Sequence, residues 1–553
     1  MHLCPRHVTS AALASLAILL AATTGSAAAG EATAAQLWAE YQAAPNVHPN
    51  LPNCSFAGYG RGELPLPQVP VVANVKDCGA TGDGTSDDLP AFRAAIAKAA
   101  GKGAVLIPAG TYRLVGHLVL PSNTVLRGEG PAKTILDFTQ SLTDSLGPLP
   151  DAGGSSQWSW TGGLIWVTPA DTFAADGKVA NVRPEQMQGW EYWRPGPALA
   201  TATGNAKRGD TQVTVTNGLA LKPGQLVVMT WENPADASLL KHIAGHPSMD
   251  AYDWKSASAI LPPQYPQWQW PVEIKAVSGN TVTLAQPLRV DIRPEWGVAM
   301  REPGPHVRGA GVEDLHLQLH APRDHRHLKC LGWNAIAFNR AYDCWARNVQ
   351  ITNAENPLIF AAAKNCTATG LVIDGESQNH HSIAMRVNTH ECLVQDFSVA
   401  GMWRVKHGIN VEWLSSGNVY SKGTMAKGTF DSHRALSFDL IRTEINLTND
   451  ADGPGGAGNS GPFLGARVAH WNIQVNPAAT PSESNKNAAG DFVFMPLTFP
   501  MGAFVGIRGC EPSMTVRDTV PGEKGSVIAE VGKSPAIKNL YQAELDLRLG
   551  RKP

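Results

Sequence analysis

The sequence predicts an all-β chain wound as a parallel solenoid, and three observations predict it. Short β-branched runs recur along 309–445, at 348–351, 370–373, 396–399, 423–425 and 442–445. Their spacings of about 20 to 26 residues suit one coil of a stacked β-repeat. Cys344, Cys366 and Cys392 fall at equivalent points of these runs, spaced 22 and 26, as an inward stack of small side chains would. The composition agrees: 54 Gly and 40 Pro in 553 residues favour turns over long helices.

The same numbers exclude other classes. Hydrophobic residues at 43% can build a large core, so disorder is excluded. Forty-five basic against 47 acidic residues leave a net charge of -2, which excludes a nucleic-acid partner held by bulk positive charge.

Residues 1–29 read as a secretory signal peptide. Arg6 precedes an apolar run from Ala11 to Ala22, too short to span a bilayer, and Ala27-Ala28-Ala29 offers a small-residue cleavage site. A secreted or periplasmic protein without stable membrane insertion is expected. Cys4 lies in that leader and leaves seven cysteines, an odd number, with no zinc-ribbon spacing.

Residues 30–73 form a lead-in with one helix near 34–41. Residues 74–139 open the solenoid. There the run GATGDGTSDD supplies tight turns, and Ser86 or Asp87 suits the N-cap of an amphipathic helix ending near Ala100. Short strands follow at 104–108, 110–112, 117–120 and 124–128. Residues 140–300 read as an insertion with ten Trp and a small β-module at 211–216, 226–230 and 281–284. Residues 301–535 carry the coils, with a glycine-rich loop at 453–461, and 536–553 hold a terminal helix.

The opening block, with GATGDGTSDD, IPAGTYRL and LPSNTVLRGEG in order, resembles the pectate-lyase-like superfamily. The resemblance is confined to 74–130, with Cys78 where an aromatic residue is commoner. It implies a right-handed parallel β-helix with an N-terminal capping helix. It also implies a polysaccharide as partner, because members are polysaccharide lyases, glycoside hydrolases and phage tailspikes. Such helices work as monomers or as homotrimers. The block itself carries no catalytic groups, so it speaks to fold and not to reaction.

Chemistry is sought in the coils. His381, His407 and His433 are spaced 26 and 26. Equal spacing in a parallel stack predicts a ladder with about 4.8 Å between rungs. Lys406, Arg434, Arg386 and Arg404 lie near it in sequence, and Trp403 and Trp413 flank its centre. The plainest reading is a ladder that satisfies backbone groups. A lyase needs more: a base for the proton alpha to a uronate carboxylate, and cations for the charge that develops. His407 or His433 can be that base, Asp431 can orient His433, and Lys406 and Arg434 can hold the carboxylate. A glycoside hydrolase instead needs two carboxyls, and Glu412, Asp431 and Asp439 are the candidates. A non-catalytic glycan-binding protein on the same scaffold is the third reading.

Trp403 and Trp413 are expected to stack on sugar rings, with Arg386 and Arg404 binding substrate beside them, and some of the ten Trp of the insertion are further candidates. No cofactor is expected, although calcium held by acids is left open. Neighbouring rungs of the ladder can share an ion, whereas the outer two histidines, about 10 Å apart, cannot.

Overall fold

The computed structural model describes residues 32–180, 182, 188–448, 450, 455–476, 493–494, 500–512 and 525–551. The leader at 1–29 and residues 453–454 of the glycine-rich loop lie outside them.

The chain is a right-handed parallel β-helix. One long sheet stacks Gly311–Gln318, Trp345–Thr352, Thr367–Asp374, Leu393–Val399, Val419–Met425, Leu440–Leu447 and Val468–Val475 in parallel register. Partners along it run Trp345, Thr367, Leu393, Val419 and Ile441, so successive coils take 22, 26, 26 and 22 residues. A second sheet stacks Leu118–Leu120, Ile165–Val167, Asn334–Asn339, Asn356–Ala361, Gln378–Arg386, Arg404–Val411 and Thr429–Phe430. Period-2 alternation turns Ile336, Leu358, Ile383 and Ile409 inward against Val312, Val349, Leu371 and Phe397 of the long sheet.

Each long-sheet strand bends at one residue with left-handed backbone: Asp314, Asn348, Gly370, Asp396, Lys422, Glu444 and Asn472. Asn, Asp and Gly bear this conformation most readily, which is why short polar residues recur there. Cys344, Cys366 and Cys392 stack as buried free thiols just past the corner column Tyr342, Lys364, His390, Ser416 and Phe438.

The capping helix is Leu89–Ala99, packed through Phe92, Ala95 and Ile96. It starts later than the sequence suggests, because Asp83–Asp87 is a strand. Asp88 holds the N-cap position, but its carboxylate turns back to accept from the N–H groups of Thr81 and Gly82, at 2.6 and 3.0 Å. The terminal helix is Leu540–Arg548.

The insertion forms a six-stranded antiparallel sheet that begins at Ala198 and ends at Arg301. Within the 140–300 region, Ile165–Val167 belongs to the coils instead. All ten of its Trp are buried and none is an exposed sugar platform. Their indole N–H groups help dock the sheet on the helix corner: Trp193 donates to the Asn388 carbonyl at 3.3 Å, and Trp268 to that of Leu414 at 3.1 Å.

Candidate functional site

The second sheet carries the imidazoles. His380 and His381 lie on Gln378–Arg386, and His407 lies on Arg404–Val411. Register breaks between these strands: Asn379 faces Val405, but His381 faces Gly408. This bulge is possible because Gly408 has φ 103, and a Cβ there would meet the Thr429 carbonyl at 2.1 Å. Bulges re-aim side chains. The next coil is also short, since Gly408 pairs with Thr429 and falls well below the spacing of the histidines. His433 consequently bonds beside Val411 rather than above His407.

The result is a cluster and not a ladder. Ring centroids of His381 and His433 are 5.0 Å apart, where two regular rungs would separate them by about 10 Å. His407 lies 5.1 Å from His381 and 4.9 Å from His433. One imidazole nitrogen from each of the three falls within 4.8 Å of the other two, so the expectation that the outer pair cannot share an ion is corrected. His380 joins them, with its ring 4.3 Å from His381 and 5.2 Å from His407. So does His327, 5.1 Å from His380 and 5.6 Å from His407.

Three backbone segments close over the rings. The Ser159 carbonyl meets His380 Nδ1 at 2.6 Å. The loop bearing His327 is pinned by Glu355, a fully buried carboxylate that accepts from the N–H groups of Leu331, Gly332 and Trp333 at 3.0, 2.7 and 2.8 Å. Gly455 donates its N–H to Asp431 at 2.9 Å, and a Cβ on it would strike His433 at 2.2 Å. His327 is the exposed member, and His433 is 12% exposed at its side chain.

Asp431 organises the charge. Its Oδ2 lies 2.7 Å from His433 Nδ1 and 3.3 Å from His381 Nε2. Burial works to raise the Asp431 carboxyl, but His433, His407 and His381 hold it well below its usual range. Burial works to lower His433, and Asp431 overrides it and raises it. For His381 the contact with Asp431 does not suffice: burial, with His433 and His407 beside it, pushes it down to about 3. His380 is driven well below its usual value by burial and then by His381 and His407.

Several residues expected at the site are held elsewhere. Arg386 is fully buried and bound to Glu412 at 2.5 Å, Glu191 at 2.8 Å and the Trp160 carbonyl at 2.6 Å, so it supports the roof and is not placed to bind substrate. Glu412 is thereby committed to Arg386. Asp439 pairs with Arg467 at 2.5 Å and lies 3.6 Å from Arg289, against the insertion. Each of the three carboxyls weighed for hydrolysis has its own partner: Arg386 for Glu412, His433 for Asp431 and Arg467 for Asp439. Trp413 is buried in the core between insertion and coils and cannot stack on a sugar there. Arg434 lies 3.9 Å over the Phe463 ring and donates to the Gly461 carbonyl at 3.0 Å. Lys406, Arg404 and Trp403 are half-buried, and the Arg323 guanidinium sits 5.7 Å from the Trp403 ring. His327 and His380 are what the regular histidine spacing missed. The dense run His316, His320, His325, His327 was a signal for the first.

Among the described residues no helix is long and apolar enough to cross a membrane.

Residues 72–167 match the family model described as "Rhamnogalacturonase A/epimerase, pectate lyase-like". That stretch includes Ser159 and Trp160 of the roof and none of the imidazoles. The chain is 47% identical over 76 residues to Mannuronan C5-epimerase AlgE1 of Azotobacter vinelandii, covering 12% of this chain and 5% of that protein. It is 38% identical over 91 residues to Alginate lyase 7 of the same organism, covering 15% and 11%. The chain thus spans only a small part of the curated relatives it matches. The crystal structure of the tailspike protein gp49 from Pseudomonas phage LKA1 aligns over 84% of this chain and 77% of its own, at 14% identity and a TM-score of 0.45. The matched block opens a parallel β-helix, and both support the resemblance to the pectate-lyase-like superfamily.

Proposed function

We propose that the protein is an exported polysaccharide lyase that cleaves a uronate-containing chain by β-elimination, with His433 as the base. The observation that carries this reading is the 2.7 Å contact of His433 Nδ1 with buried Asp431. A carboxylate on Nδ1 fixes the proton there and leaves Nε2 to take the proton alpha to the uronate carboxylate. His381 and His407 pack against His433 and hold its ring. Lys406 is half-exposed and adjacent in sequence to His407, and is assigned the uronate carboxylate; Arg434, adjacent to His433, is turned to the Phe463 ring and the Gly461 carbonyl. Hydrolysis has less support, because Glu412 and Asp439 are each committed to an arginine.

Epimerisation at the same carbon begins with the same proton transfer, and the relatives named above include a C5-epimerase and a lyase. One assay separates the outcomes. Uronate polysaccharides are incubated with the protein, and ultraviolet absorbance of the unsaturated uronate, new reducing ends and solvent deuterium at C5 are followed together. Absorbance with reducing ends is expected, and both fall about 10²- to 10⁴-fold in His433→Ala. Deuterium without absorbance would make the protein an epimerase. Reducing ends without absorbance would make it a hydrolase, and binding without any product would make it a glycan-binding protein.

A further inference from the structure

We infer that His327, His380 and His407 form a binding site for one first-row transition-metal ion of the zinc type. One nitrogen from each of these three rings lies within 4.8 Å of the other two. Nε2 of His327 and Nε2 of His380 are 3.3 Å apart. Two ligands on a tetrahedral ion with bonds of about 2.0–2.1 Å are separated by about 3.3–3.4 Å, so this pair is already at ligand spacing. His380 has the outer contact that metal-bearing histidines require. Its Nδ1 donates to the Ser159 carbonyl at 2.6 Å, which fixes the tautomer and turns Nε2 toward His327. A hydrogen bond between Nε2 atoms would account for two of the rings. His407 brings a third nitrogen to the same pair.

The other trio, His381, His407 and His433, also converges, but Asp431 lies at 3.3 and 2.7 Å from two of its members. The outer trio is better suited to an ion that exchanges with solvent, because His327 is exposed while His380 and His407 are buried. Three protein ligands leave a fourth position for water or substrate, as in catalytic rather than structural sites. Imidazole sets of this kind select zinc, copper, iron, cobalt or nickel and not calcium. Under the lyase reading, on which this role alone rests, the ion would hold the uronate carboxylate beside His433 together with Lys406.

The test measures binding and not turnover. The full chain is dialysed against chelator and titrated with Zn²⁺ alone by calorimetry, and with Co²⁺ while its visible absorption is recorded. One equivalent is expected, with the absorption of a tetrahedral cobalt site. His327→Ala changes an exposed loop residue and should weaken zinc at least 10-fold and abolish the cobalt band. His380→Gln should do the same, with its folding checked by circular dichroism. Absence of stoichiometric zinc in the unaltered protein would overturn the site. So would full affinity in His327→Ala with loss in His381→Ala, which would place the ion on the inner trio. Activity that survives metal removal would leave the lyase reading standing without this ion.

Discussion

Two buried polar clusters are built on the same coils, and they are made differently. At the corner facing the insertion, Glu391 is fully buried between Arg289 and Lys364, with the Trp270 indole donating to it at 3.2 Å. Asp439 nearby is bound by Arg467. Each charge meets its opposite, as buried charges must if they are to be tolerated. Beside the second sheet, four imidazoles crowd to between 4.3 and 6.4 Å of one another, and the Asp431 carboxylate touches two of them. Burying like groups together gives up stability, whereas burying matched charges fastens two parts of a fold. The corner therefore reads as support and the imidazole cluster as function.

The largest effect expected is on the imidazole side. His433→Ala should lower turnover by about 10²- to 10⁴-fold, or about 3–5 kcal/mol in barrier, while moving the denaturation midpoint little. A variant that loses stability and keeps turnover per folded molecule would invert the contrast. Next in size is the corner. Glu391→Ala strands Arg289 and Lys364 in the interior and should cost about 3–5 kcal/mol of stability by urea unfolding, with turnover of the folded fraction unchanged. Trp413→Ala belongs with it, because that ring fills the core under the insertion, and about 3–5 kcal/mol is expected there too.

The fold was legible because a solenoid repeats. Spacing alone located the long-sheet runs, and the inward Cys column followed from the same period. The site was legible only in part, and the reason is register. Equal spacing selects His381, His407 and His433, but the bulge at Gly408 and the short coil after it break that period where the rings meet. A regular ladder is therefore the expectation where the chain makes a cluster. His327 comes from a loop held by Glu355, and no period relates it to the coils. Arg386, Glu412 and Trp413 escape the argument because spacing cannot show which side of a strand another segment covers. The roof at 157–161 and the insertion bury all three.

The contrast also has a pH signature. Burial works to raise Glu391, but Arg289, Lys364 and His390 outweigh it and hold it at about 2, against an ordinary 4.5. A carboxylate depressed in the folded state contributes stability that is full above its ordinary value. That stability is lost as pH falls toward the folded one, and its size is about 3 kcal/mol. His390 acts in the same direction from higher pH, since burial pushes it down to about 3 and the unfolded chain takes its proton first. Urea midpoints from about pH 6 to about pH 3 should fall steadily, and Glu391→Gln should flatten the lower part of that curve. An unchanged slope would remove Glu391 from the list of groups that hold the corner.

The smallest effect tests where a glycan lies. Trp403 stays half-buried on the strand approach to His407, while the Arg323 guanidinium of the His327 loop sits 5.7 Å from its ring. It is thus the one of the two flanking tryptophans still placed to meet a sugar. Loss of one partly exposed stacking face is worth about 0.5–1.5 kcal/mol, so Trp403→Ala should raise KM about 2- to 10-fold with kcat nearly unchanged. Trp403→Phe, which keeps an aromatic face, should recover most of that loss. A fall in kcat with KM unchanged would place Trp403 with the support of the imidazole cluster and move the glycan path to the other side of His327.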